Sequence, residues 1–307
     1  MRIKSSTAGF TLIEMSIVLV IIGLVIGGVL VGRNLISAAT VRAQISQIEK
    51  YNTAVNTFRS KYGYLPGDIP DPYATQYGFA ARGTLPGEGD GGGVLHGVNF
   101  YGADPTGQAA GETVMFWADL AQASLIEGAF NTATAATPAY NLSAAALAQY
   151  FPAAKIGAGN AVIVWSGGVT GNNMMATPPD GKNYYSVAIV NSSNGNGELN
   201  TTPGLTVSQA YAIDTKIDDG FPQLGKVLAY YIDTDSTMPC CVSGYWAAGG
   251  HTQGANSGAP TKSVTTNPTA ASATTCYDNG SVAGVQKYSM GQNDGAGVNC
   301  ALSFSFQ

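Results

Sequence analysis

Charge is scarce in this chain. Asp, Glu, Lys and Arg make up 11% of its 307 residues and sum to a formal net charge of −5. So few cations leave no basic stripe to neutralise phosphates, which excludes a nucleic-acid-binding surface. Histidine is almost missing: only His96 and His251 occur. With two isolated imidazoles, no GxSxG and no HExxH, a nucleophile–base pair has little to be built from, and no enzymatic activity is expected. Cysteine is absent until Cys240, then occurs at Cys240, Cys241, Cys276 and Cys300, with no CxxC spacing. A zinc site is therefore not expected, and disulfides in an oxidising compartment fit better. Four thiols allow three complete pairings. A Cys276–Cys300 bridge closing the C-terminal loop is favoured. Cys240 and Cys241 are adjacent, so a bond between them would be strained, and each can instead take a distal partner.

What the chain has in quantity is glycine, 40 residues, with Ser, Thr, Asn and Ala abundant in its second half. Such composition suits the long surface loops of a secreted protein. The length allows one large domain or two small ones.

The N-terminus carries the most information. Residues 1–9, MRIKSSTAG, are short and polar, with Arg2 and Lys4 positive. Residues 10–32, FTLIEMSIVLVIIGLVIGGVLVG, are apolar apart from Glu14 and a few hydroxyl side chains. At about 1.5 Å per residue this run spans a bilayer core of roughly 30 Å. Positive charge ahead of it places residues 1–9 in the cytoplasm. In an ordinary secretory signal the apolar run precedes a small-residue cleavage site and is removed. Here the small residue, Gly9, comes first, so cleavage there keeps the membrane helix. Glu14 is the anomaly, because a carboxylate in such a helix costs about 3 kcal/mol on insertion scales. Cleavage before Phe10 would expose an amine that a neighbouring subunit could present to Glu14. The plainer reading is a tolerated polar residue near the interface of a simple anchor.

The stretch GFTLIEMSIVLVIIGLVIGG resembles the type IV prepilin cleavage and methylation motif: Gly, Phe, Thr-Leu-Ile-Glu, then an apolar run. The resemblance implies cleavage between Gly9 and Phe10 by a prepilin peptidase and N-methylation of Phe10. It implies that Glu14, fifth in the mature chain, pairs with the Phe10 amine of a neighbour. The implied partners are other pilin subunits in a homo- or hetero-polymer, the prepilin peptidase, an inner-membrane assembly platform and membrane lipid. The similarity is close over residues 5–68, including KYGYLPGD, and extends to layout alone beyond. Many pilins carry a proline about twenty residues into the mature helix. Here that stretch reads GGVLVGRNLI, with Gly27, Gly28 and Gly32 and no proline. Gly23/Gly27 and Gly28/Gly32 are small-xxx-small pairs that permit close helix contact, although glycine is common in membrane helices generally.

Beyond Arg33, Leu35, Ala38, Val41, Ile45, Ile48, Tyr51, Val55 and Phe58 recur at steps of three and four, one face of an amphipathic helix. Arg42, Gln47, Glu49, Lys50, Arg59 and Lys61 fall largely elsewhere. Gly63 and Pro66 stop the helix, which should run over residues 11–62, about 75 Å. The expected fold class is α+β: a long N-terminal helix, transmembrane in its first half, packed on an antiparallel sheet head with long loops. The expected segments are a leader at 1–9, a transmembrane or filament-core helix at 10–32, an amphipathic continuation at 33–62 and a periplasmic or extracellular head at 63–307. Within the head, 63–113 reads as loop, 112–127 as a short amphipathic helix with Trp117 in the core, and 161–166, 184–191 and 226–233 as strands. LSFSF at 302–306 reads as an edge strand, and residues 249–275 as exposed loop.

Gly87, Gly89 and Gly92 formally match GxGxxG, but no strand precedes them and no helix follows directly. GFPQLGK at 220–226 lacks the hydroxyl residue of a P-loop and turns into a strand, so ATP binding is rejected. Asp214, Asp218 and Asp219 cluster before Gly220. Crowded carboxylates suit a hard cation such as Ca²⁺, and some type II secretion pseudopilins bind calcium in a head loop. The simpler reading is a capped helix turn, and no cofactor is otherwise expected.

These readings favour a structural subunit of a type IV pilus or related filament, held in the inner membrane by a single pass with its head periplasmic, then part of a cell-surface or periplasmic filament. The alternatives are a pseudopilin of a type II secretion system or a membrane-anchored periplasmic enzyme or binding protein.

Overall fold

The computed structural model describes residues 11–85, 87–99, 102–103, 108–134, 136–166, 181–233, 245–248, 272–282 and 284–306. Gly9, Phe10, Cys240, Cys241, His251 and nearly all of the 249–275 loop lie outside these.

Helix α1 spans Leu12–Tyr62 without a break. It ends at Gly63, whose φ of +82° is left-handed and whose N–H donates to the Arg59 carbonyl at 2.9 Å. A residue without Cβ adopts that conformation freely, so the chain leaves the helix here. The helix has two halves. Up to residue 40 its side chains are exposed or only half-buried: Leu24 is 77% exposed, and Leu35 and Ile36 about two-thirds, at 66% and 67%. From Val41 a stripe of Val41, Gln44, Ile48, Tyr51, Val55 and Phe58 is buried against the head. Packing thus begins two turns later than the Leu35 start that periodicity suggested. Gln47, expected on the polar face, is buried as well.

The head's central sheet is antiparallel and has five strands: β1 Asn160–Ser166, β2 Asn183–Ser193, β3 Leu199–Thr202, β4 Val227–Leu228 and β5 Leu302–Ser305. Their order is β1-β2-β5-β4, and β3 pairs with the far end of β2. Val187 of β2 faces Val162 on one side and Leu302 on the other, so β2 is the sheet's axis. Helix α2, Glu112–Gln122, and α1 bring their aromatic side chains together with those of the sheet. Trp117 meets Tyr51 edge-on at 4.9 Å, and Tyr185 stacks on Phe306 at 4.2 Å. Burial of these large rings supplies much of the head's cohesion.

Within the head, three expectations change and one helix is new. LSFSF is not an edge: β5 lies between β2 and β4. Its alternation misled because Ser303 is fully buried, its hydroxyl donating to the Tyr230 carbonyl at 2.7 Å. The 226–233 segment is two strands, β4 and Tyr230–Asp233, the latter paired with Tyr245–Ala248. Between them the Ala229 N–H leaves the ladder and donates to the Pro222 carbonyl at 2.8 Å. The 112–127 helix stops at Gln122, because Ser124 turns to a φ of +57° and the Leu125 N–H returns to the Leu120 carbonyl at 3.0 Å. An unforeseen helix, α3 at Val207–Ile217, starts in a capping box between Thr206 and Gln209.

Candidate functional site

At the start of α1, Thr11 and Glu14 form a capping box. The Glu14 N–H donates to Thr11 Oγ1 at 3.3 Å, and the Thr11 N–H and hydroxyl both donate to Glu14 Oε2, at 2.8 and 2.7 Å. The carboxylate thus satisfies orphan donors at the helix start and points toward the preceding residues. The spacing Thr-x-x-Glu carried this signal in the sequence. Beyond it lies an apolar rod with Leu12 87%, Leu19 69% and Val20 71% exposed. Among the described residues, α1 is the helix long and apolar enough to cross a membrane.

Asp214, Asp218 and Asp219 are brought together at the C-terminal end of α3, one carboxylate oxygen of each lying within 4.8 Å of the others. Each also serves the local turn. Asp214 is buried, accepting from the Tyr288 hydroxyl at 2.8 Å and the Gly220 N–H at 3.1 Å. Burial, and secondarily the charges of Asp219 and Asp218, push its carboxyl up to about 7. Asp218 Oδ2 accepts from the N–H groups of Lys226 and Val227, tying the helix end to β4. The exposed Asp219 accepts from the Phe221 N–H at 2.8 Å.

A second acidic cluster, Asp68, Asp90 and Glu112, escaped the sequence reading; its members likewise offer oxygens within 4.8 Å of one another. Glu112 is the first residue of α2, following Gly111, which has no side chain to cap the helix. Its carboxylate curls back into the glycine-rich loop. Oε1 accepts from the N–H groups of Gly89 and Asp90 at 3.0 and 3.2 Å, and Oε2 from the His96 N–H at 2.7 Å. The run that formally matched GxGxxG therefore cradles a carboxylate of its own chain. Gly89 has a φ of +90°, and a Cβ there would lie 2.5 Å from the Ile69 carbonyl oxygen. Burial, with the charge of Asp68 next, pushes Glu112 up to about 8; burial likewise pushes Asp68 up to about 6. The imidazole of His96, held low by burial, has its Nε2 buried without a hydrogen-bond partner.

Beside this cluster, the Asp119 carboxylate accepts from the Arg82 guanidinium at 2.6 Å and from the Gly67 N–H at 2.7 Å. The Arg82 Nε–H donates to the Ile69 carbonyl at 3.0 Å. The KYGYLPGD segment is thereby fastened to α2. Elsewhere, Cys276 and Cys300 are joined in a disulfide.

The chain matches no curated protein and no solved structure. Residues 4–30 match the family described as the prokaryotic N-terminal methylation motif. That match covers residues 9, 10 and 14 and most of the exposed apolar rod. The motif supports a type IV pilin- or pseudopilin-like subunit, and implies, for such subunits generally, prepilin peptidase processing and polymerisation. The N-terminal segment of this chain thus carries the prepilin-type signal of the type IV pilins and pseudopilins.

Proposed function

We propose that this chain is a structural, non-enzymatic subunit of a type IV pilus or related filament and that α1 is its assembly element. On this reading prepilin peptidase cuts between Gly9 and Phe10, removing residues 1–9, and the new Phe10 amine is methylated. Residues 10–32 then hold the subunit in the inner membrane, residues 33–62 lead to the head, and residues 63–307 stand in the periplasm. An inner-membrane platform transfers subunits from lipid into a filament, where residues 10–36 of many copies pack together and the heads form the outer surface.

One observation carries this reading. The apolar half of α1 is uncovered along its length while the second half is seated in the head, and a carboxylate stands at its start. Lipid alone covers the apolar side chains of a plain anchor and gives Glu14, capped by Thr11, no partner of opposite charge. A neighbour's Phe10 ammonium supplies one, and the pair fixes the axial register of a helical array. The Thr11–Glu14 capping box is compatible with this role, since it keeps the carboxylate at the end of the helix from which the amine would approach.

A pseudopilin of a type II secretion system would use the same steps in a shorter filament. An anchored periplasmic enzyme or binding protein would use Glu14 only to cap the helix start. For Asp214, Asp218 and Asp219 we favour the turn-building role, because their carboxylates accept hydrogen bonds from Tyr288 and the following turn; calcium there is the alternative.

Gly9→Ala and Glu14→Ala in the producing bacterium, followed by imaging of surface filaments, test the proposal. Gly9→Ala should leave unprocessed chain in the membrane, and Glu14→Ala should insert but fail to assemble. Filaments in normal number from both variants would sink the reading.

A further inference from the structure

We propose that Asp68, Asp90 and Glu112 bind a hard divalent cation, with the chemistry of Ca²⁺, that ties the LPGD turn and the glycine-rich loop to the start of α2. Three carboxylates from separate parts of the chain converge here, each offering an oxygen within 4.8 Å of the other two. Oxygens bound to one calcium ion at about 2.4 Å can lie at most about 4.8 Å apart, so this spacing is compatible with a shared ion. An all-oxygen donor set of carboxylates suits calcium rather than zinc or copper.

Proximity of acidic groups alone does not make a site, but Asp68 adds a separate observation. It is 1% exposed, and while Oδ2 accepts from the Gly93 N–H at 2.9 Å, Oδ1 is buried with no hydrogen-bond partner. A buried carboxylate oxygen without a donor is costly to leave unsatisfied. The neighbouring cation does not serve it: Arg82 donates from Nη2 to Asp119 and from Nε to the Ile69 carbonyl, and its Nη1 has no hydrogen-bond partner. The backbone N–H groups of Gly89, Asp90 and His96 are committed to Glu112. A cation fills the role. Asp90 is the exposed member and gives the ion a path from solvent.

The consequence is mechanical. The ion joins the turn that follows α1 to the helix on which α1 packs, and stiffens the head where it meets the shaft.

The test uses the full-length chain in detergent at neutral pH, stripped of metal with a chelator. Calcium chloride is added up to about 5 mM, past the range of extracellular calcium modules, while heat of binding and thermal unfolding are followed. One binding event per chain and a rise in unfolding temperature are expected. Asp90→Asn, an exposed change that keeps the head folded, should weaken binding roughly tenfold or more, as expected for loss of a carboxylate ligand. Glu112→Gln should do the same, and Asp219→Asn, in the other cluster, should bind as the parent does. The proposal is overturned if the parent gives neither heat nor a shift, or if Asp90→Asn binds like the parent. It is equally overturned if Asp219→Asn loses binding while Asp90→Asn keeps it, which moves the ion to α3.

Discussion

The side-chain amide of Gln47 is clasped by the backbone around Lys155: Oε1 accepts from the Lys155 N–H at 2.9 Å while Nε2 donates to the Ala153 carbonyl at 2.9 Å. One turn earlier, Gln44 Oε1 accepts from the Ile156 N–H at 3.0 Å. Two buried glutamines of α1 thus hold residues 153–156 as a missing strand would. Gln47→Ala leaves the part-exposed Lys155 N–H and Ala153 carbonyl without these partners and should cost about 0.5–1.5 kcal/mol. Chemical denaturation of the full chain in detergent checks this, and a loss below about 0.5 kcal/mol would mean that water replaces the amide.

Arg82 and Asp119 form a buried ion pair, each side chain 1% exposed. Removing one partner strands the other charge. Arg82→Met or Asp119→Leu alone should therefore destabilise the head by about 3–5 kcal/mol, while the double variant should recover much of that loss. A thermodynamic cycle over the four proteins measures it. Additive losses would show that the two charges do not depend on each other.

The Cys276–Cys300 disulfide closes a segment of 24 residues in sequence separation, and both cysteines are fully buried. Replacing both by serine should lower stability by about 3 kcal/mol, the loop entropy released to the unfolded chain. Non-reducing peptide mapping should recover Cys276 and Cys300 in one linked pair. Recovery of either with Cys240 or Cys241 instead would contradict the assignment.

Asp214 gives a pH dependence of definite sign. Its folded carboxyl is raised from 3.8 to about 7, so between those values the folded chain holds a proton that the unfolded chain has released. This contribution is complete below about pH 4 and fades as pH rises toward 7, by at most about 1.4 kcal/mol per pH unit. Asp214→Asn cannot titrate and should flatten that part of the stability curve. An unchanged slope in the variant would rule Asp214 out as its source.

What was legible in the sequence was what local chemistry decides. The helix start at Thr11, its stop at Gly63 and strands such as Asn160–Ser166 and Asn183–Ser193 follow from capping, glycine geometry and apolar runs. Less legible were the polar groups whose fate depends on distant partners. Gln44 and Gln47 carry the polarity of a solvent face, yet the 153–156 backbone buries them. Ser303 alternates like an exposed residue but is satisfied inside the sheet. Asp68, Asp90 and Glu112 lie too far apart in the chain for spacing to join them. The glycine-rich run was set aside as a phosphate loop, and its N–H groups prove to hold the Glu112 carboxylate. At the N-terminus the chemistry sits within a few consecutive residues, which is why the prepilin-type signal was plain.

The most direct test of the central claim is the N-terminus of the mature chain. Mass spectrometry of protein recovered from the membrane or filament fraction of the producing bacterium would read it. The proposal predicts a first residue of N-methylated Phe10, with residues 1–9 absent and the apolar helix retained. A chain that still begins at Met1, or one cut after the apolar run, would contradict it.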